Sequence, residues 1–397
     1  YPHFSVPGPR IGFLQEALRW WDFWLKGEAT GVLRDPAVRA YVMASTPPAA
    51  LPPHIPGRWI SEVSWPGHSS QPNRLYLTEH GLRESPGEKL ALSLNSPQTT
   101  GRDGGEFCVI WMGPEFAGDQ ARDDAGSLVF DTQALGADMD LVGQAELELE
   151  FSSDRPVALL AVRLSDVHPD GSVSRISYGL QNLTHIVSHE NPEPLEPGER
   201  YFCRIKLDEV ARTLPEGHKL RVSISTCYWP MMWPAPEPVT LDIHTARSWL
   251  TVPVRTPVPG EVAPTFPEPV SAPPADLIEL RAPSNSREQT EDEASGEVTI
   301  SIVDDFGLYR NAEHDLITGE VGRETHSIRA NDPLSARMTT HWTQEMQRDD
   351  ISLRTETWST MHASADRFHL TARIEAWHNG KLVFERDFVE DIERDLV

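Results

Sequence analysis

Between residues 58 and 255 apolar and polar side chains alternate with a period of two, which constrains the fold more than any other feature of the chain. Helical periodicity is absent there, and Gly, Pro, Asn and Asp bound short runs that are typical of strands joined by turns. The clearest runs are RLYLT at 74–78, KLALSL at 89–94, AELELEF at 145–151, VALLAVRL at 157–164, VSRISYGL at 173–180, RYFCRIKL at 200–207 and KLRVSIST at 219–226. About eight strands in this span predict a mainly β fold, an antiparallel sandwich with jelly-roll topology.

Two further segments follow this predicted sandwich. Residues 256–296 are rich in proline and then in small polar and acidic residues, a composition that disfavours helices and ladder hydrogen bonds. We therefore expect an extended linker and a domain boundary there. Residues 297–397 alternate again over longer runs and predict a second antiparallel β domain, a meander with one face buried. The residues that share one face of its clearest run are Phe368, Leu370, Ala372, Ile374 and Ala376.

The first 27 residues instead predict a single helix. Apolar side chains recur every three or four residues, and Gly27 follows the last turn as a C-cap. The members of the apolar stripe are Ile11, Leu14, Leu18, Trp20, Trp21, Trp24 and Leu25. The stripe is wider than a sheet edge covers, so we expect the helix to close another domain that lies before Tyr1, with residues 28–57 as a connecting segment. The chain opens on Tyr1 without a leader, which we interpret as a cut end.

Composition argues against several classes of function. Sixty acidic residues against thirty-five basic ones give a formal charge of −25, which argues against nucleic acid or an anionic membrane as a partner. No run approaches the roughly 18 apolar residues of a membrane span. The three cysteines, Cys108, Cys203 and Cys227, are far apart in strand-like runs, so we expect buried free thiols and a cytoplasmic protein.

Motifs for catalysis are missing from the sequence. No G-x-S-x-G occurs, so we predict no nucleophile elbow and no catalytic residue in this chain. Asp166, His168 and Asp170 stand at alternate positions, but a Pro-Asp-Gly turn explains Asp170 by itself. Residues that straddle a turn do not converge on one ion without a further ligand. We therefore predict neither a metal site nor a cofactor.

Two aromatic runs permit two interpretations each. In GGEFCVIWMGPEFAGDQARDD at 104–124 the glycine pair lets the backbone approach another surface, and Phe107, Val109, Trp111 and Met112 then supply a large apolar area. That area belongs either to the core or to the wall of a ligand pocket. The run CYWPMMWP at 227–234 has the same two interpretations, and packing or an interface between domains is favoured there.

Four separated segments together resemble one family. They are LRWWDFWLKG at 18–27, GGEFCVIWMGPEFAGDQ at 104–120, ELEFSSDRPVALLAVRLSDVHPDGS at 148–172 and LEPGERYFCRIKLDEVARTLPEGHKLRVSIST at 195–226. In order and approximate spacing they resemble the CocE/NonD-type serine hydrolases, which are cocaine-esterase-like acyl esterases related to X-Pro dipeptidyl-peptidases. The resemblance implies an α/β-hydrolase domain with a helical cap, followed by a galactose-binding-like jelly roll, the X-Pro dipeptidyl-peptidase C-terminal domain.

The resemblance also implies roles for particular residues. The Trp-rich helix would close the α/β-hydrolase domain, and the loop after the glycine pair would lend side chains to the acyl-binding pocket. The residues matched to domain docking are Trp20, Trp21 and Trp24, and those matched to the pocket wall are Phe107, Cys108, Val109 and Trp111.

The catalytic groups of such a hydrolase would lie in earlier sequence. In the family the histidine lies in a G-P-W-x-H-like loop shortly before the Trp-rich helix, whereas His3 of this chain has no GPW before it. We therefore expect the C-terminal, non-nucleophilic portion of a serine acyl hydrolase, an esterase or an X-Pro dipeptidyl-peptidase-like enzyme, inactive alone. Its expected partners are the missing α/β-hydrolase and cap domains and a small ester or amide substrate.

Two other hypotheses stay open. One is a free-standing β-sandwich that binds a carbohydrate or a small ligand, which needs an exposed aromatic platform such as Trp229 or Trp233. The other is a homo-oligomer that forms through long edge strands of residues 297–397.

Overall fold

The computed structural model describes residues 8–109 and 113–397. Strands hold 52% of the chain and helices 6%, which confirms the predicted mainly β fold. Within the described residues the strands form three sheets. Two of these enclose a common apolar core, as expected for a β-sandwich.

Twelve strands build the sandwich. Along the chain they are β1 (Val38–Met43), β2 (Gly57–Glu62), β3 (Ser70–Thr78), β4 (Gly81–Arg83), β5 (Ala91–Leu94), β6 (Leu128–Asp131), β7 (Met139–Ser153), β8 (Leu159–Val167), β9 (Val173–Asn182), β10 (Tyr201–Leu214), β11 (Lys219–Ser225) and β12 (Leu241–Arg255). The larger sheet has the order β2-β1-β10-β7-β12-β3-β4, and β5 also pairs with β12. The smaller sheet has the order β6-β11-β8-β9.

The core of the sandwich follows from the alternation in the sequence. Leu147 and Phe151 of β7 and Leu160 and Leu164 of β8 are fully buried between the two sheets. Strand β8 is buried along its whole length, and on the face turned away from this core Arg163 pairs with Asp124, near the end of the segment that follows the glycine pair. This contact positions the candidate site.

The third sheet contains eight strands within the described residues. They are β13 (Leu277–Arg281), β14 (Ser284–Glu291), β15 (Glu297–Asn311), β16 (Leu316–Arg329), β17 (Asp332–Arg348), β18 (Ile351–Ala363), β19 (Arg367–His378) and β20 (Lys381–Glu393). From β15 to β20 each strand pairs with the next in antiparallel register, while β13 and β14 both pair with β15. The predicted meander of long antiparallel strands is therefore present.

Burial in this third sheet differs from the prediction of one buried face. Ile300 and Ile328 are fully buried, whereas Phe368 to Ala376 on β19 are mostly half-buried on both faces and β20 is almost wholly exposed. The first strands of the third sheet pack on the sandwich through Trp229, whereas the later strands contact it near one end, where Phe368 of β19 packs against Trp233. Strand β20 forms an edge of the third sheet within the described residues. Self-association through this edge stays a prediction.

Two segments outside the predicted β domains also contain strands. Strand β1 lies within residues 28–57 and pairs with β2 and with β10, the latter in parallel. Strands β13 and β14 lie within residues 256–296, for which the sequence predicts a linker. The proposed domain boundaries themselves stay predictions.

The structure describes two α-helices, α1 (Phe13–Lys26) and the short α2 (Ala121–Asp124). Helix α1 ends at Gly27, which has a φ of 74° and donates its N–H to Phe23 O. Among the described residues no helix combines the length and hydropathy that crossing a membrane requires.

Candidate functional site

The segment that follows the glycine pair packs on strands β8 and β9 of the smaller sheet. Gln120 N donates to Val173 O at 3.0 Å, and Val173 N donates to Asp119 Oδ1 at 3.1 Å. The segment is therefore fixed to the sandwich at its C-terminal end.

The close backbone approach expected at the glycine pair is present. Gly105 has a φ of 76°, and a Cβ at this position would lie 2.5 Å from Glu115 O. Gly101, just before the pair, has a φ of 108°, and a Cβ there would lie 2.5 Å from Trp229 N. Only glycine combines this backbone conformation with so little space, so both positions fix the path of the chain.

A buried carboxylate near the end of the segment holds the residues just before the glycine pair. Asp123 Oδ1 accepts the N–H of Gly101 at 2.9 Å, and its Oδ2 accepts the N–H of Asp103 at 3.1 Å. Asp123 is 2% exposed, and burial raises the pKa of its carboxyl above the ordinary value.

The next residue anchors the segment through charge. Asp124 pairs with Arg163 of β8 at 3.0 Å and with Arg221 of β11 at 2.9 Å, and Arg163 is fully buried. Sequence reasoning missed Asp123 and Asp124, although two adjacent acids at the end of a loop-forming run are a detectable signal for loop anchors.

The residues predicted for the pocket wall lie at the exposed end of this loop. Phe107 is 75% exposed and Val109 is half-buried. Cys108 is exposed, so the expectation of a buried thiol is wrong there, whereas Cys203 and Cys227 are buried as expected. Trp111 lies outside the described residues. The side chains of Phe107 and Cys108 are thus left exposed by the described chain, whereas that of Val109 is partly covered.

A cavity of about 500 Å³ lies at the other end of the same loop. Phe116 and Ala117 of the loop line it together with Tyr41 and Trp59, whose rings are 5.4 Å apart. It also contains Arg212, whose side chain is buried and whose pKa is lowered by that burial. Sequence reasoning did not predict this cavity, because its walls come from strands that are distant along the chain.

A polar cluster lies beside the cavity at the end of β8. His218 Nδ1 is 2.8 Å from Asp166 Oδ1, and Ser45 Oγ donates to Asp166 Oδ2 at 2.5 Å. The possible ligand atoms of Asp166, His168 and His218 lie within 4.8 Å of one another. His218 is thus the further ligand that the sequence pattern did not supply, while Asp170 accepts hydrogen bonds from Ser172 instead.

This cluster fits a hydrogen-bonded network better than a metal centre. Ligand atoms around tetrahedral zinc are roughly 3.3 Å apart, given bonds of about 2 Å. The possible ligand atoms of this cluster are separated by as much as 4.8 Å, which is wider than zinc requires. Both oxygens of the Asp166 carboxylate also accept hydrogen bonds already. The positive charge of the Arg212 guanidinium also interacts with the Asp166 carboxylate and would repel a cation bound there.

The three tryptophans predicted to dock another domain are all solvent-exposed. Trp20 is 46% exposed, and Trp21 and Trp24 are each 54% exposed. Leu14 and Leu25 extend the same uncovered surface, at 59% and 74% exposure. Residues 297–397 do not cover this face.

The other face of α1 is fixed to the chain by charged groups. Arg19 pairs with Glu16 at 2.7 Å and with Asp35, and Arg39 pairs with Glu16 at 2.8 Å. Gly12 N also donates to Pro267 O at 3.0 Å. These contacts hold the helix with its apolar face turned outward.

The second aromatic run lies between the sandwich and the third sheet. Trp229 is 1% exposed and packs with Ile300, Ile302 and Ile328, and Trp233 packs against the same cluster. The run at 227–234 therefore serves packing at an interface, which is the interpretation that the sequence favoured over a pocket wall.

The mainly β fold, with a loop anchored on its smaller sheet, defines a β-sandwich domain. The chain belongs to the family of the X-Pro dipeptidyl-peptidase C-terminal non-catalytic domain, whose sequence profile matches residues 30–263. This match confirms the resemblance to CocE/NonD-type hydrolases that carry such a domain.

A curated relative and several solved structures share this similarity. Cocaine esterase from Rhodococcus sp. (strain MB1 Bresler) is 24% identical over 225 residues, which is 53% of this chain and 37% of the esterase. An aminopeptidase from a marine sediment Thaumarchaeota archaeon is 19% identical, with 60% of this chain and 43% of that chain covered and a TM-score of 0.49. A CocE/NonD family hydrolase from Staphylococcus aureus is 17% identical, with 61% and 45% covered and a TM-score of 0.45. The chain thus spans less than half the length of each of these relatives.

Proposed function

We propose that this chain is the C-terminal, non-nucleophilic portion of a serine acyl hydrolase that acts on ester or amide bonds. It docks an α/β-hydrolase domain through helix α1 and lends the loop after the glycine pair to the wall of the substrate pocket. The observation that supports this proposal most is the outward-facing apolar surface of α1, at Trp20, Trp21 and Trp24.

The docking role rests on how α1 is held. The ion pairs Arg19–Asp35 and Glu16–Arg39 tie its polar face to the segment that follows, which keeps the tryptophans turned outward. A contiguous apolar patch of this kind marks an interaction surface. The occupant we propose is an α/β-hydrolase domain, because the match covers 37% of cocaine esterase and leaves the other 63% of that longer protein outside it.

The pocket-wall role rests on exposure and attachment together. Phe107 and Cys108 are exposed, yet they directly follow a loop stem that Asp123 and Asp124 fix to the sandwich. An apolar group held on a rigid support is what a substrate pocket requires of its wall. In the intact enzyme a Ser-His-Asp triad on the docked domain would form an acyl-enzyme beside this wall.

The alternative of a free-standing ligand-binding module has less support. It requires an exposed aromatic platform, whereas Trp229 is buried against the third sheet and Trp233 packs beside it. It also provides no use for the uncovered face of α1.

Expression of the complete open reading frame that encodes this chain tests the proposal. We expect hydrolysis of p-nitrophenyl esters, with a serine-directed phosphonate labelling a serine outside the described residues. Replacing Trp20, Trp21 and Trp24 with Gln should lower this activity and expose the domain junction to limited proteolysis. The matched control replaces Val187, Val262 and Val383, which are exposed apolar residues elsewhere, with Gln. Unchanged activity in the tryptophan variant, or no serine-hydrolase activity in the complete product, would contradict the proposal.

A further inference from the structure

Strand β14 of the third sheet contacts residues on both sides of the loop that follows the glycine pair, Arg102 before it and Arg122 after it. Gln289 Nε2 donates to Arg102 O at 2.5 Å, and Arg122 Nη2 donates to Gln289 Oε1 at 2.8 Å. Arg102 also pairs with Glu291 at 3.0 Å. The strand lies outside residues 30–263, so these contacts reach the family domain from a part of the chain that the family profile does not include.

The contact nearest the loop tip is an ion pair. Arg287 Nη1 lies 2.5 Å from Glu106 Oε1, and the two side chains are 9% and 25% exposed. A largely buried charge pair is costly to break, because removal of one partner leaves the other charge uncompensated. Glu106 directly precedes Phe107 and Cys108, so this pair fixes the last residue before the exposed tip.

The two arms of the loop are also tied to each other and to β14. Glu106 N donates to Glu115 O at 2.7 Å, which joins the arms. On the returning arm Gly113 approaches Asn285 of β14 so closely that a Cβ at Gly113 would lie 2.5 Å from Asn285 Oδ1. Both arms therefore contact the same strand.

We propose that β14 braces this loop, with Arg287 as the positioning residue that holds Glu106 and thereby sets the position of Phe107–Val109. The third sheet then has a role beyond its own fold, since it orients a surface of the family domain. The effect on substrate selection rests on the proposed pocket-wall function, whereas the bracing itself does not.

The exposed thiol of Cys108 gives a direct test. A nitroxide label attaches to Cys108, because Cys203 and Cys227 are buried and burial raises the pKa of each thiol to about 12. In Arg287→Met we expect the label to move with a rotational correlation time at least about threefold shorter than in the parent protein. The matched control is Arg281→Met, which breaks pairs with Asp305 and Glu345 in the same sheet and away from the loop.

A double-mutant cycle separates a direct pair from a general loss of packing. Glu106→Gln should mobilise the label as much as Arg287→Met does, and the double variant should add little to either. Additive effects, an immobile label in both single variants, or equal mobility in Arg281→Met would overturn the brace. Far-ultraviolet circular dichroism verifies that each variant folds.

Kinetics of the complete reading-frame product then separate the two proposals. We expect Arg287→Met to raise KM for a long-chain p-nitrophenyl ester several-fold while leaving kcat for the acetyl ester within about twofold. The reason is that the variant weakens the binding of the substrate and of the transition state equally. Phe107→Ala should do the same. A mobile label with unchanged KM would leave the brace standing and overturn the pocket-wall role, whereas an immobile label overturns the brace whatever the kinetics show.

Discussion

At the scale of single residues, the buried Arg163–Asp124 pair is the main ionic anchor of the candidate site. Arg163 Nη2 also donates to Ser127 Oγ at 2.8 Å, and its guanidinium lies 5.4 Å from the centre of the Tyr228 ring. Such a charge is tolerated in the interior only while its partner is present.

Replacement of Asp124 with Asn therefore has a large expected cost. The variant leaves Arg163 buried without its counter-charge, and we expect a loss of about 3–5 kcal/mol in the free energy of unfolding. Asp350→Asn, at an exposed position, is the matched control and should change stability by no more than about 0.5 kcal/mol. Urea titration followed by tryptophan fluorescence measures both, and equal midpoints for the two variants would disprove the anchor.

Residues of the candidate site could be predicted from the sequence where the signal is local, and not where two distant segments meet only in the folded chain. The exposed aromatic loop could be located because glycine pairs and apolar runs are local signals. Arg287 could not be found, because it lies 181 positions from Glu106 along the chain and only the folded third sheet brings the two together. Pairings of this kind have no local periodicity.

At the scale of elements, helix α1 was predictable almost to its ends. Its three- and four-residue spacing and its glycine cap depend on neighbouring residues alone, and the helix found spans Phe13–Lys26. The ion pairs that turn its apolar face outward were not predictable, because Asp35 and Arg39 lie beyond the helix.

The attachment of α1 should depend on pH. The hydrogen bond from Arg19 is the main cause that lowers the pKa of the Asp35 carboxyl below its ordinary value of 3.8. Because the folded-state pKa is depressed, the stabilisation is present above 3.8 and is lost as the pH falls through the lower folded-state pKa. We expect amide protection factors in α1 to fall over this acidic range in hydrogen exchange. Asp35→Asn should show low protection already at neutral pH, and a pH-independent protection in the parent protein would contradict this assignment.

The third sheet shows where strand patterns stop being informative. Alternation in the sequence correctly predicted long antiparallel strands, but it did not reveal which strands are covered. Burial at Ile300 and Ile328 depends on Trp229 from the sandwich, a contact between segments about 70 to 100 residues apart.

At the scale of the whole molecule, Trp229 connects the family domain to the third sheet. We expect Trp229→Ala to lower stability by about 3–5 kcal/mol, as large-to-small changes of buried aromatic residues do. Calorimetry should show the third sheet unfolding at a lower temperature, and the label on Cys108 should become mobile because the brace is displaced. Trp24→Ala, at an exposed position of α1, is the matched control. Identical calorimetric profiles for the two variants would rule out a stabilising interface at Trp229.

We propose that the chain as a whole provides a docking helix and a braced loop, and that catalysis belongs to a different part of the hydrolase. Incubation of this chain by itself with p-nitrophenyl acetate, followed by a serine-directed phosphonate and intact-mass measurement, tests that assignment most directly. We predict no burst of p-nitrophenol and no phosphonate adduct. A stoichiometric burst that pretreatment with the phosphonate abolishes would contradict it.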